Sequence, residues 1–239
     1  MADWFEEWFD EDYARLYAHR DAAEARQAVA MALDLAPELA QGPVLDLGCG
    51  AGRHLEILRA TNPEAFGLDL SPALLRLAPP SLRGALLRGD MRRLPVKEAA
   101  LSGICLWFTP FGYFSHEENR ALLCDLARRL RPGGVLLLDY LHADEVVRAL
   151  VAEDTVERHG IRVRSRRALE GDRLVKRMTL TRLASGDTRE ALESVRLYQP
   201  PELGAIAAEA GLSLRAARGS YAGAPFGNQS PRWIGFFQR

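Results

Sequence analysis

The stretch Val44-Leu45-Asp46-Leu47-Gly48-Cys49-Gly50-Ala51-Gly52-Arg53 constrains this chain more than any other, because it joins an apolar run to a helical pattern through three alternate glycines. Val44 to Leu47 reads as a short central parallel strand, and helical spacing resumes at Leu55, Ile57 and Leu58. Glycine lets the backbone approach a ligand closely and aim its N–H groups at it, and the positive end of the following helix favours an anionic group there. The dinucleotide fingerprint needs glycines at its first, third and sixth places, yet counted from Gly48 the sixth place is Arg53. A nicotinamide dinucleotide is therefore disfavoured, and the stretch reads as the loop of another nucleotide-type cofactor.

Two later strand ends carry carboxylates. Phe66-Gly67-Leu68-Asp69-Leu70-Ser71 is a second short strand whose acid falls about 20 residues after the loop, where such folds hold ribose hydroxyls. Arg88-Gly89-Asp90-Met91 is a third strand end with an acid. Asp69 also precedes Ser71-Pro72, a natural cap with proline at the first helical position, so a capping role stands beside the ribose role. Singly these are ordinary turns and caps; in order, on consecutive strand ends, they indicate a cofactor site. At this point the chain resembles the class I S-adenosylmethionine-dependent methyltransferases, over roughly residues 40 to 141. The resemblance implies S-adenosylmethionine as cofactor. It assigns Gly48, Cys49, Gly50 and Gly52 to the methionine portion, Asp69 with Leu70 to the ribose, and Asp90 with Met91 to the adenine edge. The resemblance also implies that Asp46 orients the loop or the donor's amino group and that Leu106 and Trp107, at the end of the fourth strand, lie beside the donor.

Composition agrees with an enzyme-sized chain. With 239 residues and 48% hydrophobic content it can bury a sizeable core. A formal net charge of −1 gives no global pull toward nucleic acid or an anionic membrane. The start, Met1-Ala2-Asp3-Trp4-Phe5-Glu6-Glu7, is acidic where a signal peptide is basic, and no apolar run reaches membrane-spanning length, so a cytoplasmic location is expected. Cys49, Cys105 and Cys124 lack metal or redox spacing and read as reduced thiols; no metal site is expected.

Helical stretches are expected over 3–18 and 20–36. Trp4, Phe5, Trp8, Phe9, Tyr13 and Tyr17 form an aromatic stripe that either packs on the core or caps the cofactor cleft, with Tyr13 and Tyr17 as donor contacts. Glu6, Glu7, Asp10, Glu11 and Asp12 read as a solvated face. Leu101 to Phe108 is a fourth strand, and the aromatic loop Thr109-Pro110-Phe111-Gly112-Tyr113-Phe114 borders the site. Ser115 and Glu118 open a helix as a capping box; Arg131-Pro132-Gly133-Gly134 stops it before a fifth strand, Val135 to Leu141. Three strands follow over 156–169, 173–184 and 190–198, then a helix over 201–210 and two closing strands. The expected fold is α/β: a Rossmann-like seven-stranded methyltransferase sheet with helices on both faces, an N-terminal helical cover and a three-stranded antiparallel insertion. The divisions are 1–36 (cover), 37–154 (cofactor core), 155–198 (insertion) and 199–239 (closing elements) within one domain of residues 1–239.

The donor's sulfonium already makes its methyl group electrophilic, so the protein must align a nucleophile and exclude water. For proton transfer, Tyr113, His116, Tyr140 and His142 are the candidates at the correct sheet edge, and the resemblance favours positioning without an essential base. Thr109-Pro110-Phe111 lacks the Asn/Asp-Pro-Pro-aromatic motif of amino-methylating DNA enzymes. The insertion's Arg158, Arg162, Arg164, Arg166, Arg167, Arg173, Lys176 and Arg177, interspersed with acids, read as a solvated sheet face. Its Ile161, Val163, Met178, Leu180 and Leu197 need a surface to bury, either the cleft or a second subunit in a homodimer. The expected activity is methyl transfer to an N or O atom of a small-molecule acceptor, with nucleic acid and membrane not expected as partners. An RNA methyltransferase using the arginine-rich insertion and a cofactor-binding protein without turnover are the alternatives.

Overall fold

The computed structural model of the protein describes residues 3–18 and 22–239. Met1 and Ala2 of the acidic start, and Arg20 and Asp21 of the helix expected over 20–36, lie outside the described residues. Helices α1 (Trp4–Trp8), α2 (Glu11–Leu16) and α3 (Ala22–Leu35) precede β1 (Val44–Leu47). Next come α4 (Arg53–Thr61), β2 (Phe66–Asp69), α5 (Pro72–Arg76), β3 (Leu86–Arg88), β4 (Leu101–Leu106), α6 (His116–Arg129), β5 (Leu130–Leu141) and α7 (Ala143–Arg148). Strands β6 (Glu153–Arg158), β7 (Ile161–Glu170), β8 (Arg173–Arg182) and β9 (Thr188–Arg196) then form their own antiparallel sheet, before α8 (Pro200–Glu209), β10 (Ser213–Arg218) and β11 (Arg232–Gln238).

The main sheet has the order β10-β11-β5-β4-β1-β2-β3. β1 to β5 run parallel, and β11 lies antiparallel between β5 and β10. Every residue of β1 and β4 is buried, as befits central strands covered on both faces. From β1 the chain proceeds outward through β2 and β3, then returns to the other side of β1 as β4. The carboxyl ends of β1 and β4 therefore flank the point where the winding reverses, which is where open sheets of this kind hold ligands.

Three local expectations are corrected. The helix expected over 3–18 breaks after Trp8, because the Asp10 carboxylate accepts the backbone N–H groups of Asp12 (2.9 Å) and Tyr13 (3.0 Å) and starts α2 afresh. The strand expected over 156–169 is two strands, since His159 (φ 50°) and Gly160 (φ 77°) form a consecutive left-handed pair that turns β6 into β7. The insertion consequently has four strands rather than three. The strand expected from Val135 begins at Leu130, which pairs with Leu101, so the Arg131–Gly134 stretch lies within β5.

The insertion buries its apolar face within the same chain. Ile161, Val163, Met178 and Leu180 pack against Trp8 and Leu16 of the N-terminal helices, so neither the cleft nor a second subunit is required to cover them. Asp12, expected in a solvated face, is instead buried and pairs with Arg182 (2.9 Å) and Arg189 (3.6 Å), while Asp10 pairs with Arg189 (2.6 Å). Trp8 Nε1 donates to Glu193 at 2.7 Å. Glu6, Glu7 and Glu11 do remain exposed. On the other side of the insertion, Arg162, Arg166 and Arg177 face Glu157, Glu153 and Glu170 in exposed pairs, as a solvated sheet face requires. Among the described residues no helix is long and apolar enough to cross a membrane, no group of side chains is set to hold a metal ion, and Cys49, Cys105 and Cys124 are free.

Trp8 joins the cover to the insertion and is 2% exposed. Trp8→Ala should lower stability by about 3 to 5 kcal/mol in urea denaturation, the usual loss for emptying a buried aromatic site. A loss below about 1 kcal/mol would mean that the helices merely rest on the sheet.

Candidate functional site

A cavity of about 270 Å³ opens at the carboxyl ends of β1, β2 and β4, just below the usual size range for small-molecule sites. Its floor is the glycine turn. Gly48, Gly50 and Gly52 all adopt positive φ (74°, 56° and 82°), and the N–H groups of Gly48 (2.8 Å) and Cys49 (3.2 Å) donate to the Leu68 carbonyl. The glycines do different work. A Cβ on Gly52 would collide with Leu82, so that position serves packing at the start of α4, and Gly52 does not line the cavity. A Cβ on Gly50 would meet only Leu74 Cδ1 at 3.6 Å, which leaves an open cradle beside the cavity.

Asp69 ties this turn to β2. One carboxylate oxygen accepts the Gly50 N–H (2.7 Å) and the other the Ser71 N–H (2.8 Å), while the cap of α5 comes from the Ser71 hydroxyl, which accepts from Leu74 N (3.1 Å). The capping role considered for Asp69 thus belongs to Ser71. Burial pushes the Asp69 carboxyl up, partly offset by the backbone donors of Ser71 and Gly50. Asp46, 1% exposed, is pushed up to about 8 by burial and then by the charge of Asp69. Asp90 is different: burial pushes it up, but the hydrogen bonds and charge of Arg92 outweigh this and hold it below the usual carboxylate range. Arg92 grips it with Nε (2.9 Å), its terminal nitrogen (2.7 Å) and the backbone N–H (2.8 Å).

Aromatic rings make the roof and far wall. Phe5, Phe9, Tyr13 and Tyr17 reach down from α1, α2 and the turns that follow them, and Trp107, Phe108, Pro110, Tyr113 and Phe114 rise from the loop after β4. Trp4 and Tyr113 meet edge-on at 4.8 Å, and Phe9 meets Tyr13 at 4.8 Å, so roof and wall form one aromatic cluster. The Tyr17 hydroxyl accepts from Lys176 Nζ (2.9 Å) and donates to Glu193 (3.4 Å), which ties the roof to the insertion. Arg173, expected on the solvated face, instead donates to the carbonyls of Gly112 (3.2 Å), Tyr113 (2.8 Å) and Phe114 (3.0 Å) and so fastens the wall to the insertion.

Of the residues expected to hold the donor, Tyr13, Tyr17, Asp46, Gly48, Cys49, Gly50, Asp69, Leu70, Asp90, Met91 and Trp107 line this one cavity. Leu106 does not: it is fully buried in the sheet. Among the proton-transfer candidates only Tyr113 lines it. His116 Nδ1 faces the Tyr198 hydroxyl (3.2 Å), the Tyr140 hydroxyl donates to the Arg196 carbonyl, and His142 Nδ1 donates to the Ser230 carbonyl (2.8 Å). His54, which sequence reasoning passed over, is brought in by the first turn of α4 and stacks on Trp107 at 4.8 Å. Its signal was only adjacency to the glycine loop. Burial, then the charges of Arg53 and Arg232, hold its imidazole down to about 3, so it is neutral.

The lining fits a nucleoside with an amino-acid tail. Asp46 Oδ2, His54 Nε2 and Trp107 Nε1 are buried with no hydrogen-bond partner, and all three residues line the cavity beside the open cradle of Gly50. Unsatisfied buried polar atoms gathered at one cavity point to a polar ligand.

The fold retains a proton on Asp46 that the unfolded chain releases near pH 4, a contribution lost as pH rises to about 8, while His54, held neutral, gives the opposite slope up to about pH 6.5; the free protein should therefore lose stability between about pH 6.5 and 8 and level off above. Denaturation midpoints across that range should fall in the wild type and flatten in Asp46→Asn. An equal slope in both would remove Asp46 as its source.

Comparison with known proteins gives the site its context. Residues 44–134 match the family model for a methyltransferase domain. A dTDP-4-amino-2,3,4,6-tetradeoxy-D-glucose N,N-dimethyltransferase from Saccharopolyspora spinosa is 32% identical over 198 residues, 80% of this chain and 78% of that protein. An amino pentose methyltransferase from Micromonospora echinaspora, solved with S-adenosylmethionine bound, superposes with a TM-score of 0.68 at 26% identity, covering 96% of this chain and 97% of that one. An S-adenosylmethionine-dependent methyltransferase from Clostridium acetobutylicum shares the fold at a TM-score of 0.81 and 15% identity, over 95% of this chain and 96% of that one. A glycine turn, an acid at each of the next two strand ends and a matching fold over nearly the whole chain thus converge: the protein belongs to the class I S-adenosylmethionine-dependent methyltransferases.

Proposed function

We propose that the chain moves the methyl group of S-adenosylmethionine to the nitrogen of a small-molecule amine, with a nucleotide-linked amino sugar as the acceptor class. The observation that carries this reading is the division of the cavity: its acids, Asp46, Asp69 and Asp90, lie at the strand ends, and its opposite side is aromatic. Aromatic faces accommodate the positive charge that a nitrogen acquires on methylation. A carboxylate acceptor is poorly served, because the lining base Arg53 is engaged by Glu24 at 2.7 Å and the lining His54 is held neutral. The sugar N,N-dimethyltransferase from Saccharopolyspora spinosa supports the amino-sugar class.

When bound, the donor supplies an electrophilic methyl whose transfer forms the new C–N bond as the S–C bond breaks. In this reading the glycine turn and Asp46 hold the amino-acid tail, Asp69 and Leu70 the ribose, and Met91 with Asp90 the adenine edge. Tyr13 and Tyr17 contact the donor, Phe108 and Tyr113 orient the acceptor, and together they exclude water. A neutral amine already carries its lone pair, and the ammonium proton passes to solvent afterwards, so no essential base is assigned. His116, Tyr140 and His142 are engaged elsewhere in the fold, which agrees with this.

We read residues 1–239 as one domain acting in the cytoplasm, with residues 155–198 bearing on acceptor choice. The paired arginines of the insertion offer little bare charge to a phosphate backbone, so the small-molecule reading is favoured over RNA. Because the insertion's apolar face is covered by the chain's own helices, the reason for expecting a homodimer falls away.

The test is mass analysis after incubation with S-adenosylmethionine and a panel of dTDP-amino sugars, their hydroxyl counterparts, small carboxylic acids and RNA. Gain of one or two methyl groups by amino sugars alone is expected; methylation confined to a hydroxyl, a carboxylate or RNA would overturn the reading, and tight donor binding without any product would favour a protein without turnover. Separately, Asp69→Ala should weaken S-adenosylhomocysteine binding by about 2 to 4 kcal/mol in calorimetry, as expected for losing charge-assisted hydrogen bonds. Unchanged affinity in the folded variant would confine Asp69 to holding the turn.

A further inference from the structure

The loop that makes the aromatic wall carries the strongest backbone distortion near the site. Phe108 (φ 63°) and Thr109 (φ 68°) are consecutive non-glycine residues in the left-handed region, and for a β-branched threonine this is a true outlier. Such a conformation persists only where its surroundings over-determine it. Here the surroundings are a charged cluster supplied by β5, β11 and the segment after β10. The buried Asp139 accepts the Phe108 N–H on its carboxylate (2.6 Å) and the Thr109 N–H on its backbone carbonyl (3.0 Å). Arg232 donates Nε to the Asp139 carboxylate (2.5 Å) and a terminal nitrogen to the Thr109 hydroxyl (2.8 Å), and its guanidinium lies 4.7 Å from the centre of the Phe108 ring. The Tyr221 hydroxyl donates to the same carboxylate.

The residues thus clamped are neighbours of the reaction space. Trp107, Phe108 and Pro110 line the cavity, and a Cβ placed on Gly48 would come within 3.0 Å of Pro110. Wall and glycine turn therefore approach closely just where the clamp acts. A buried ion pair is weak evidence for stability, since apolar residues of similar volume usually serve a core as well. What such residues do not provide is two acceptors and a donor directed at one distorted dipeptide.

We propose that Asp139, together with Arg232 and Tyr221, is a positioning residue for methyl transfer, fixing Phe108 and Thr109 so that the acceptor wall stands at the right distance from the glycine turn. The proposal rests on the methyl-transfer reading of the site but not on which amine is the acceptor. None of the three belongs to the cavity lining, so they act through the wall and touch neither donor nor acceptor.

The test is Asp139→Asn, with Arg232→Lys as a second variant that retains a cation should the first fold poorly. In hydrogen exchange, the Phe108 and Thr109 amides should exchange about tenfold faster or more than in the wild type, while those of β1 and β2 keep their protection. S-adenosylhomocysteine affinity should stay within about twofold by calorimetry, because the glycine turn and Asp69 are untouched. With the amino sugar that the wild type methylates, kcat should fall about tenfold or more while KM changes by less than about threefold, the split expected when reactive geometry rather than binding is lost. Unchanged exchange at Phe108 and Thr109 in a folded variant would overturn the clamp, and so would retained kcat or a parallel loss of donor affinity. A wild-type enzyme that methylates no amino sugar would sink the proposed acceptor alone, since the exchange and donor-affinity readouts need no acceptor.

Discussion

The site depends on one carboxylate. Asp69 reaches from the end of β2 to the Gly50 N–H and, on its other oxygen, to the N–H of Ser71, the residue that caps α5. These two bonds fix the glycine turn to the neighbouring strand, and the Leu68 carbonyl, one residue earlier, repeats the tie through Gly48 and Cys49. A turn of three positive-φ glycines has many conformations open to it when free. Fastened at its first and second glycines, it presents one. The price is a crowded pair of acids, Asp46 and Asp69, both pushed upward by burial and close enough to repel each other.

A second dependence runs between parts of the chain far apart in sequence. The N-terminal helices roof the cavity with one face and seal the four-stranded sheet with the other, while Arg173 of that sheet holds the loop forming the cavity wall. Roof, wall and insertion thus share contacts: Tyr17 belongs to the roof, yet its hydroxyl is held by Lys176 and Glu193. The N-terminal helices and the loop after β4 line the cavity, and the insertion, which contributes no lining residue, holds both.

Much of this was legible in the sequence because strand, turn and acid recur in a local pattern. The glycine turn with Asp46, and the acids Asp69 and Asp90, announce the cofactor end, and apolar runs announce the buried strands. What was not legible depended on long-range pairing. Asp12 looked like one more exposed acid until Arg182 and Arg189 arrived from the insertion. His159-Gly160 is a weaker hairpin signal than the Glu170-Gly171-Asp172 turn, so the pattern over 156–169 reads as one continuous strand. Leu106 and Trp107 are adjacent in sequence and were expected to share a role; one faces the core and the other the cavity. Asp139 stood out only as an acid in an apolar run, since its partners lie at positions 221 and 232.

The place of β11 carries a consequence for how the molecule comes into being. This strand lies between β5 and β10, although every other strand of the sheet precedes it in sequence. During synthesis, β10 can join the sheet only after the residues beyond 231 have left the ribosome. Until then β5 presents an unpaired edge, and Asp139 on it has no Arg232 to meet. The strands that hold the glycine turn, β1 and β2, are thus made well before the strand whose Arg232 meets Asp139 and Thr109. The order of translation separates the two halves of the active cleft in time.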